Sequence, residues 1–434
     1  MPSPIDTEIV CKLKAIAFGV ILLFVSVQAQ GQTLDHPALV AQFHKSNGED
    51  YWLSRPALYN DLCKSVMLIA DTANHFGGPA GGYHKAQLTQ TFGTNRSLTI
   101  KDSYLLTDAL LSIACDLQRG VDVKKWISND EVSPICSKKD DTTLLTGLAG
   151  ISSTAALDSF LKSLEPQTNE YFLLKSELIT QIKAGNISKV NQVTATINQY
   201  RWIAHFHFGK HIIVNIPAST LYYFETDSMK LQMKVVTGKP KTKTPRFSTW
   251  CYEVVLYPYW TVPRSIAVKE ILPKVKANRR TLDNLNMQVL DSRGREINAA
   301  TINWKSYNSS NFPYTFRQCT GCDNSLGVIK FNLTDPFHVY MHDTNYKLAF
   351  LRNTWFLSHG CIRLEKPIDL ANKLLDNRVD TNLINACIEG LEPITLKTES
   401  KIPVFVVYMP VGIANDTVAY YKDIYKLFTV AQKQ

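Results

Sequence analysis

Apolar positions change their period once along this chain. From about residue 34 to 200 they recur at three- and four-residue steps, the repeat of one helix face. Leu105, Leu106, Ala109, Leu110, Ile113 and Leu117 predict one buried helix face. Leu157, Phe160, Leu161 and Leu164 predict a second, stopped by Pro166. Residues 77–82 (Gly-Gly-Pro-Ala-Gly-Gly) read as a loop, and the mixed polar stretch 121–145 as a linker. Past Arg201-Trp202 the period becomes two. Strands are predicted over 211–216, which Pro217 closes, and through Leu231, Met233 and Val235, which alternate with Gln232 and Lys234. Further strands are predicted over 253–256, 327–332, 337–342 and 404–408. One helix interrupts them: Pro367 suits a first helical position, and Leu370, Ala371, Leu374 and Leu375 form its apolar stripe. Residues 266–325 are rich in Lys and Asn with few strong signals, and read as an insertion or lid. The pattern is therefore α+β, with a helical domain over 30–200 and a β-rich domain over 201–434.

Composition narrows this only a little. With 45% hydrophobic residues among 434, a sizeable core is available and wholesale disorder is excluded. The net charge of +9 favours anionic surroundings, but it is spread too evenly to argue for nucleic acid. The N-terminus reads as an address. Lys12 and Lys14 precede an apolar run over 15–27, the length of a signal segment and short of the roughly 20 residues that span a bilayer. Val27-Gln28-Ala29 then offers small residues at a cleavage site. Residues 1–29 are thus expected to direct export, and either to be removed or to stay as a tether. Cys11 precedes the run, so it is not a lipidation site. Export permits disulfides. Of nine cysteines, eight follow Cys11; if one is a working thiol, at least one of the rest stays unpaired.

The sharpest local feature is Ser358-His359-Gly360-Cys361-Ile362-Arg363. A glycine directly before a cysteine lets the backbone turn sharply, and aims the amides of Gly360 and Cys361 as an oxyanion hole requires. A thiol needs a base to become a nucleophile, because an unperturbed cysteine is mostly protonated at neutral pH. Two histidines qualify. His359 is adjacent in sequence, and His342 ends an apolar strand with Tyr340 on the same face and Asp343 next to it as an orienting acceptor. From the residues alone three readings stand: a Cys-His acyl-transfer site, half of a disulfide, or a zinc site built from His342, His359 and Cys361.

At these residues the chain resembles the L,D-transpeptidase family with its YkuD-type catalytic domain. That family's pattern is a His, a gap, then Ser/Thr-His-Gly-Cys, an apolar residue, and Arg or Asn. The resemblance extends through Arg201-Trp202, 213–217, 236–239, Thr244-Pro245, 257–265, 271–274, Asn324-Ser-Leu-Gly327, Lys330-Phe331 and His342-Asp-Thr344 to the larger YcbB-like branch. Tyr51-Trp52, Asp102, Leu106-Thr107-Asp108, Asp116-Leu117 and Leu164-Glu-Pro166 are similar to that branch's helical scaffold domain.

The resemblance implies a mechanism. Cys361 attacks the carbonyl between the third residue of a peptidoglycan tetrapeptide stem and its terminal D-Ala. His342 takes the thiol proton, and Asp343 holds His342, through its backbone carbonyl. D-Ala leaves, and a stem side-chain amine then attacks the thioester to give a 3→3 cross-link. His359, Ser358, and the amides of Gly360 and Cys361 belong to the oxyanion side. Tyr340 is a candidate substrate or oxyanion contact, Trp260 a core residue or part of the substrate wall, and Arg363 a candidate partner for a substrate carboxylate or an internal ion pair. No metal or organic cofactor is implied. The place of work is the periplasm or cell envelope of a bacterium, and carbapenem β-lactams are the expected covalent inhibitors.

Two departures stand out. The larger branch often carries a peptidoglycan-binding domain between scaffold and catalytic parts, and here 171–182 reaches Arg201-Trp202 over too short a stretch to hold one. Where the family shows Gln-x-Pro-Gly-Pro, this chain has Gln318-Cys319-Thr-Gly-Cys322, read first as a local disulfide between Cys319 and Cys322 and otherwise as free thiols. Water as acceptor makes the same site an L,D-carboxypeptidase, and a lipoprotein lysine makes it an anchoring enzyme. A non-catalytic wall-binding scaffold and a general cysteine protease are the other readings.

Overall fold

The computed structural model describes residues 33–92, 96–132, 137–226, 228–334 and 336–428. The expected signal segment over 1–29 and Cys11 lie outside them. No helix among the described residues is long and apolar enough to cross a membrane. The chain divides into two compact units. One takes residues up to Asn74, Gly78–Leu117 and Asp140–Leu164; the other takes His75–Gly77, Gln118–Lys139 and everything from Glu165 onward.

The first unit is helical: α1 Pro37–Asn47, α2 Pro56–Asp71, α3 Lys85–Phe92, α4 Ile100–Arg119, α5 Ser137–Ala149 and α6 Thr154–Leu164. The periodic face read from the sequence is the buried face of α4, with Leu105, Leu106, Ala109, Leu110, Ile113 and Leu117 all nearly inaccessible. Several polar residues in this interior are paired with one another. The Thr107 hydroxyl is shared by the Trp52 indole and the His44 ring, each at 2.8 Å. Asp108 accepts from the amides of Asp35 and His36 and pairs with His84 at 2.6 Å. Asp102 reaches back to the Thr99 amide at 2.7 Å, which satisfies an orphan donor at the start of α4.

The second unit opens with α7 Asn169–Lys183 and α8 Ile187–Ala204. By compactness these two helices lie with the strands, although they fall within the helical domain expected over 30–200. Glu165 ties their start: Tyr171 and Lys175 each donate to it at 2.7 Å. The stretch 121–145 is not a plain linker. It contains a short strand β1, Asn129–Asp130, and then α5. Val123, Ile127 and Val132 are buried beside Trp202 and Phe405, an apolar contact too short to show as periodicity.

The strands that follow are β2 Lys210–Asn215, β3 Thr220–Glu225, β4 Ser228–Gly238, β5 Phe247–Leu256, β6 Trp260–Thr261, β7 Met287–Leu290, β8 Thr315–Gln318, β9 Ile329–Leu333, β10 Met341–His342, β11 Phe356–Ser358, β12 Ile362–Leu364 and β13 Ile394–Val407. The main sheet runs β1-β5-β13-β2-β3-β4-β12-β10-β9, and β9 pairs back onto β5. The path from β5 round to β9 therefore closes on itself, which removes exposed edges. Alternation fills its interior with Ile212, Val214, Leu221, Met233, Val235, Val254, Phe331, Met341, Ile362, Val404 and Val406. The helix Pro367–Leu374 adds Leu370, Ala371 and Leu374 to the same core. The strand expected over 337–342 is only β10, because His338 at φ +55° breaks the ladder before it.

The segment read as a lid folds around its own small core. Val262, Leu272, Val275, Val289, Trp304, Phe312 and Phe316 pack together, beside a sheet ordered β6-β8-β7. Its Gln-Cys end is a correction. Cys322 is disulfide-bonded to Cys387, 65 residues away, and not to Cys319. The Thr320 hydroxyl donates to the Leu391 carbonyl at 2.8 Å, and the Gly390 amide meets the Thr320 carbonyl. The segment is thereby held against the 387–391 loop rather than folded on itself.

Candidate active site

β10 and β12 run parallel, with Met341 opposite Ile362 and His342 opposite Arg363. The ladder extends one bond upstream, where the Ile362 amide donates to the Tyr340 carbonyl at 3.1 Å. On its other side His342 stands opposite Lys330 of β9. Residues in register project to the same side of a sheet. Val339, Met341, Ile362, Leu364, Ile329 and Phe331 point into the core. Tyr340, His342, Cys361, Arg363 and Lys330 thus share the opposite face. Strand alternation in the sequence marks Tyr340 and His342 as neighbours. Only the pairing of three strands distant in sequence brings in Cys361, Arg363 and Lys330.

The turn carrying Cys361 is built by its neighbours. Gly360 adopts φ +129°, a conformation that side-chain-bearing residues avoid, while an added Cβ would meet nothing closer than 3.7 Å. Conformation rather than space therefore requires glycine here. The Thr244 hydroxyl donates to the Gly360 carbonyl at 2.7 Å. Ser358 clasps the turn from inside: its hydroxyl donates to the Cys361 carbonyl at 2.6 Å and accepts from the Gly360 amide at 3.0 Å. This corrects the expectation for Gly360, whose amide is committed to Ser358. Ser358 thus serves as the brace of the turn.

Cys361 is in no disulfide. Burial pushes its thiol pKa up; the hydrogen bonds of Tyr340 and the positive charges of Lys330 and Arg363 pull it back. Tyr340 bridges the site. Its hydroxyl donates to Cys361 and accepts from the Trp260 indole of β6, and its ring lies 5.6 Å from that of His342. His342 is buried, and its Nδ1 donates to the Asp343 carbonyl at 2.5 Å. With Nδ1 carrying the proton, Nε2 of the neutral ring is the acceptor. Burial, and next the Arg363 charge, push the His342 pKa down to about 3; the carbonyls of Asp343 and Leu326 oppose this, and Lys330 adds to it. Both shifts favour the neutral forms, an uncharged imidazole and an uncharged thiol on the same face of the sheet.

The Asp343 side chain faces elsewhere. Its carboxylate accepts from the Val328 amide at 3.1 Å and from Lys347. Gly327 makes room for it, because a Cβ there would lie 2.3 Å from Asp343 Oδ2. His359 departs from the expected oxyanion side. It is half-exposed, and its Nε2 pairs at 2.8 Å with Glu270 from the lid. The ring is directed at that carboxylate, not at Cys361. Its adjacency in sequence misleads because the left-handed turn at Gly360 separates the two side chains.

A closed sheet with a cysteine and a histidine on one outer face, preceded by a helical unit, is a two-part α+β architecture with the layout of an acyl-transfer site. Residues 209–396 match the L,D-transpeptidase catalytic domain, YkuD, and residues 38–178 match the Scaffold domain. The chain thus carries a YkuD-type L,D-transpeptidase catalytic domain behind a scaffold domain, the YcbB-like arrangement. A putative L,D-transpeptidase of Haemophilus influenzae is 31% identical over 280 residues, covering 64% of this chain and 56% of its own length. The chain thus spans little more than half of that relative. Among solved structures, an L,D-transpeptidase from Mycobacterium smegmatis is 17% identical, covering 46% of this chain and 58% of that one, with a TM-score of 0.20. An LD transpeptidase in complex with imipenem is 18% identical, covering 46% and 59%, with the same TM-score of 0.20. At that score neither likeness adds to the assignment.

Proposed function

We propose that this chain is a peptidoglycan L,D-transpeptidase working through a thioester on Cys361. The observation that supports it most is the shared face of β10 and β12, which sets a thiol in no disulfide beside Tyr340 and on the same side as a buried imidazole whose Nδ1 is held by the Asp343 carbonyl. The sulfur attacks the carbonyl carbon between the third stem residue and D-Ala, and its proton passes to His342 Nε2. His342 then gives that proton to the leaving D-Ala nitrogen as the C–N bond breaks. An amine of a second stem attacks the thioester, His342 takes the amine's proton, and the thiol is restored. The Cys361 amide is the donor for the oxyanion, since the Gly360 amide is engaged, and the Tyr340 hydroxyl joins it once the sulfur has bonded to carbon and no longer needs its proton.

Arg363 is assigned to a substrate carboxylate. Its Nε is buried with no hydrogen-bond partner, and among the described residues no carboxylate is paired with it. Trp260 holds Tyr340 from the lid side and forms part of the substrate wall. The substrate polymer lies outside the cytoplasmic membrane, so the reading includes export led by residues 1–29.

Mass spectrometry of disaccharide-tetrapeptides incubated with wild type and Cys361→Ala tests the reading. Dimers joined 3→3 are expected from wild type and none from the variant. Tripeptide without dimer assigns a carboxypeptidase, and unchanged tetrapeptide from both removes the reading.

A further inference from the structure

Lys330 is the cation of this face to which neither the motif nor the reaction assigns a part. It stands in register with His342 on the side opposite Arg363, so the imidazole has a cation on each flank. Its Nζ lies 4.6 Å from the centroid of the Tyr340 ring, the geometry of a cation held on an aromatic face. The same Tyr340 offers its hydroxyl to Cys361. One aromatic side chain therefore carries the ammonium on its ring and the sulfur at its rim.

We propose that Lys330 is a positioning residue for the nucleophile: its ammonium, braced on Tyr340, stabilises the sulfur of Cys361 in its anionic form. The inference rests on Cys361 being the nucleophile.

A half-buried ammonium needs compensating negative charge. The anionic groups that bear on Lys330 are Glu253, which already accepts from Asn332 at 2.7 Å, and the Cys361 sulfur once it is deprotonated. The other groups around the sulfur are accounted for. Tyr340 donates a hydrogen bond, His342 is neutral, Arg363 awaits a substrate carboxylate, and Glu270 of the lid is paired with His359. Lys330 and Arg363 both bear on the sulfur, and Lys330 is the one that the Tyr340 ring holds in place. A compact ammonium suits that task better than a planar guanidinium, because it needs no second acceptor to complete its geometry.

The test is alkylation of Cys361 by iodoacetamide from pH 6 to 10, read on the Cys361 peptide by mass spectrometry, in wild type and in Lys330→Met, Lys330→Gln and Lys330→Arg. Both neutral variants are expected to move the midpoint up by about one pH unit, and to slow alkylation at pH 7.5 roughly tenfold. Arg is expected to restore most of the rate. Gln keeps a polar head of similar reach and decides the matter if Met does not fold. An unchanged profile in a folded neutral variant overturns the proposal, and more firmly so if muropeptide turnover is lost, since Lys330 then serves the substrate. A shifted profile with no muropeptide turnover even in wild type upholds this role and removes the proposed substrate instead.

Discussion

A thiol whose pKa is raised by burial and an imidazole whose pKa is lowered by burial and flanking cations do not rest as an ion pair. Reactivity at Cys361 should therefore follow the thiol alone. In wild type the iodoacetamide rate is expected to climb through neutral pH without levelling, its midpoint above the roughly 8.5 of an unperturbed cysteine. A plateau between pH 5 and 8 would instead indicate a resting thiolate–imidazolium pair. The same ring sets an acid limit on stability. Its folded pKa of about 3 lies below an unfolded value of about 6.5. The unfolded chain therefore binds the proton first as pH falls. The contribution is fully present above pH 6.5 and is lost as pH falls through 3, with a slope of up to about 1.4 kcal/mol per pH unit. Urea unfolding between pH 7 and 3 should show this slope in wild type and lack it in His342→Gln. At this scale the sequence marks Cys361, His342 and Tyr340, because a motif and a two-residue alternation are local. It misplaces His359 and the Gly360 amide, because side-chain direction after a left-handed turn depends on what the turn is tied to.

Elements were legible where their period ran long enough. α4 and the strands through the closed sheet carry their buried positions openly, whereas β1 and β10, at two residues each, are too short to show a period. Two element-level features have consequences that can be measured. Gly327, at φ +60°, packs where a Cβ would meet Asp343, whose carbonyl holds His342. Gly327→Ala is expected to lower stability by about 1–3 kcal/mol and to slow turnover more than it weakens substrate binding. Chemical denaturation and a comparison of kcat with KM would check this. The Cys322–Cys387 bond closes a loop across 65 residues that includes the site strands β9, β10 and β12. Cys387→Ser should cost about 2–4 kcal/mol by removing that constraint from the unfolded chain. Reduction of wild type should reproduce the loss, and Cys319→Ser should not. A C-x-x-C spacing suggested the local pair, but distance in sequence does not report which loop a cysteine faces.

For the molecule as a whole, the proposed reaction makes a prediction that needs no natural substrate. A carbapenem carbonyl presents the electrophile that Cys361 would meet in a stem peptide. Intact-mass measurement is expected to show one adduct per chain in wild type and none in Cys361→Ala; a folded, reduced wild type without adduct would count heavily against the assignment. N-terminal sequencing of secreted protein tests the other molecular claim, with a start at Gln30 expected if the segment is removed. By itself, the sequence marked the α+β order, the helical and sheet periods, the inserted segment and the candidate nucleophile and base, because each is written in neighbouring residues. Only the tertiary structure decided that Lys330 and Arg363 flank His342, that His359 turns to Glu270, and that Cys322 pairs with Cys387. Those relations join strands and loops far apart along the chain, and register and burial, which local pattern does not encode, are what bring them together.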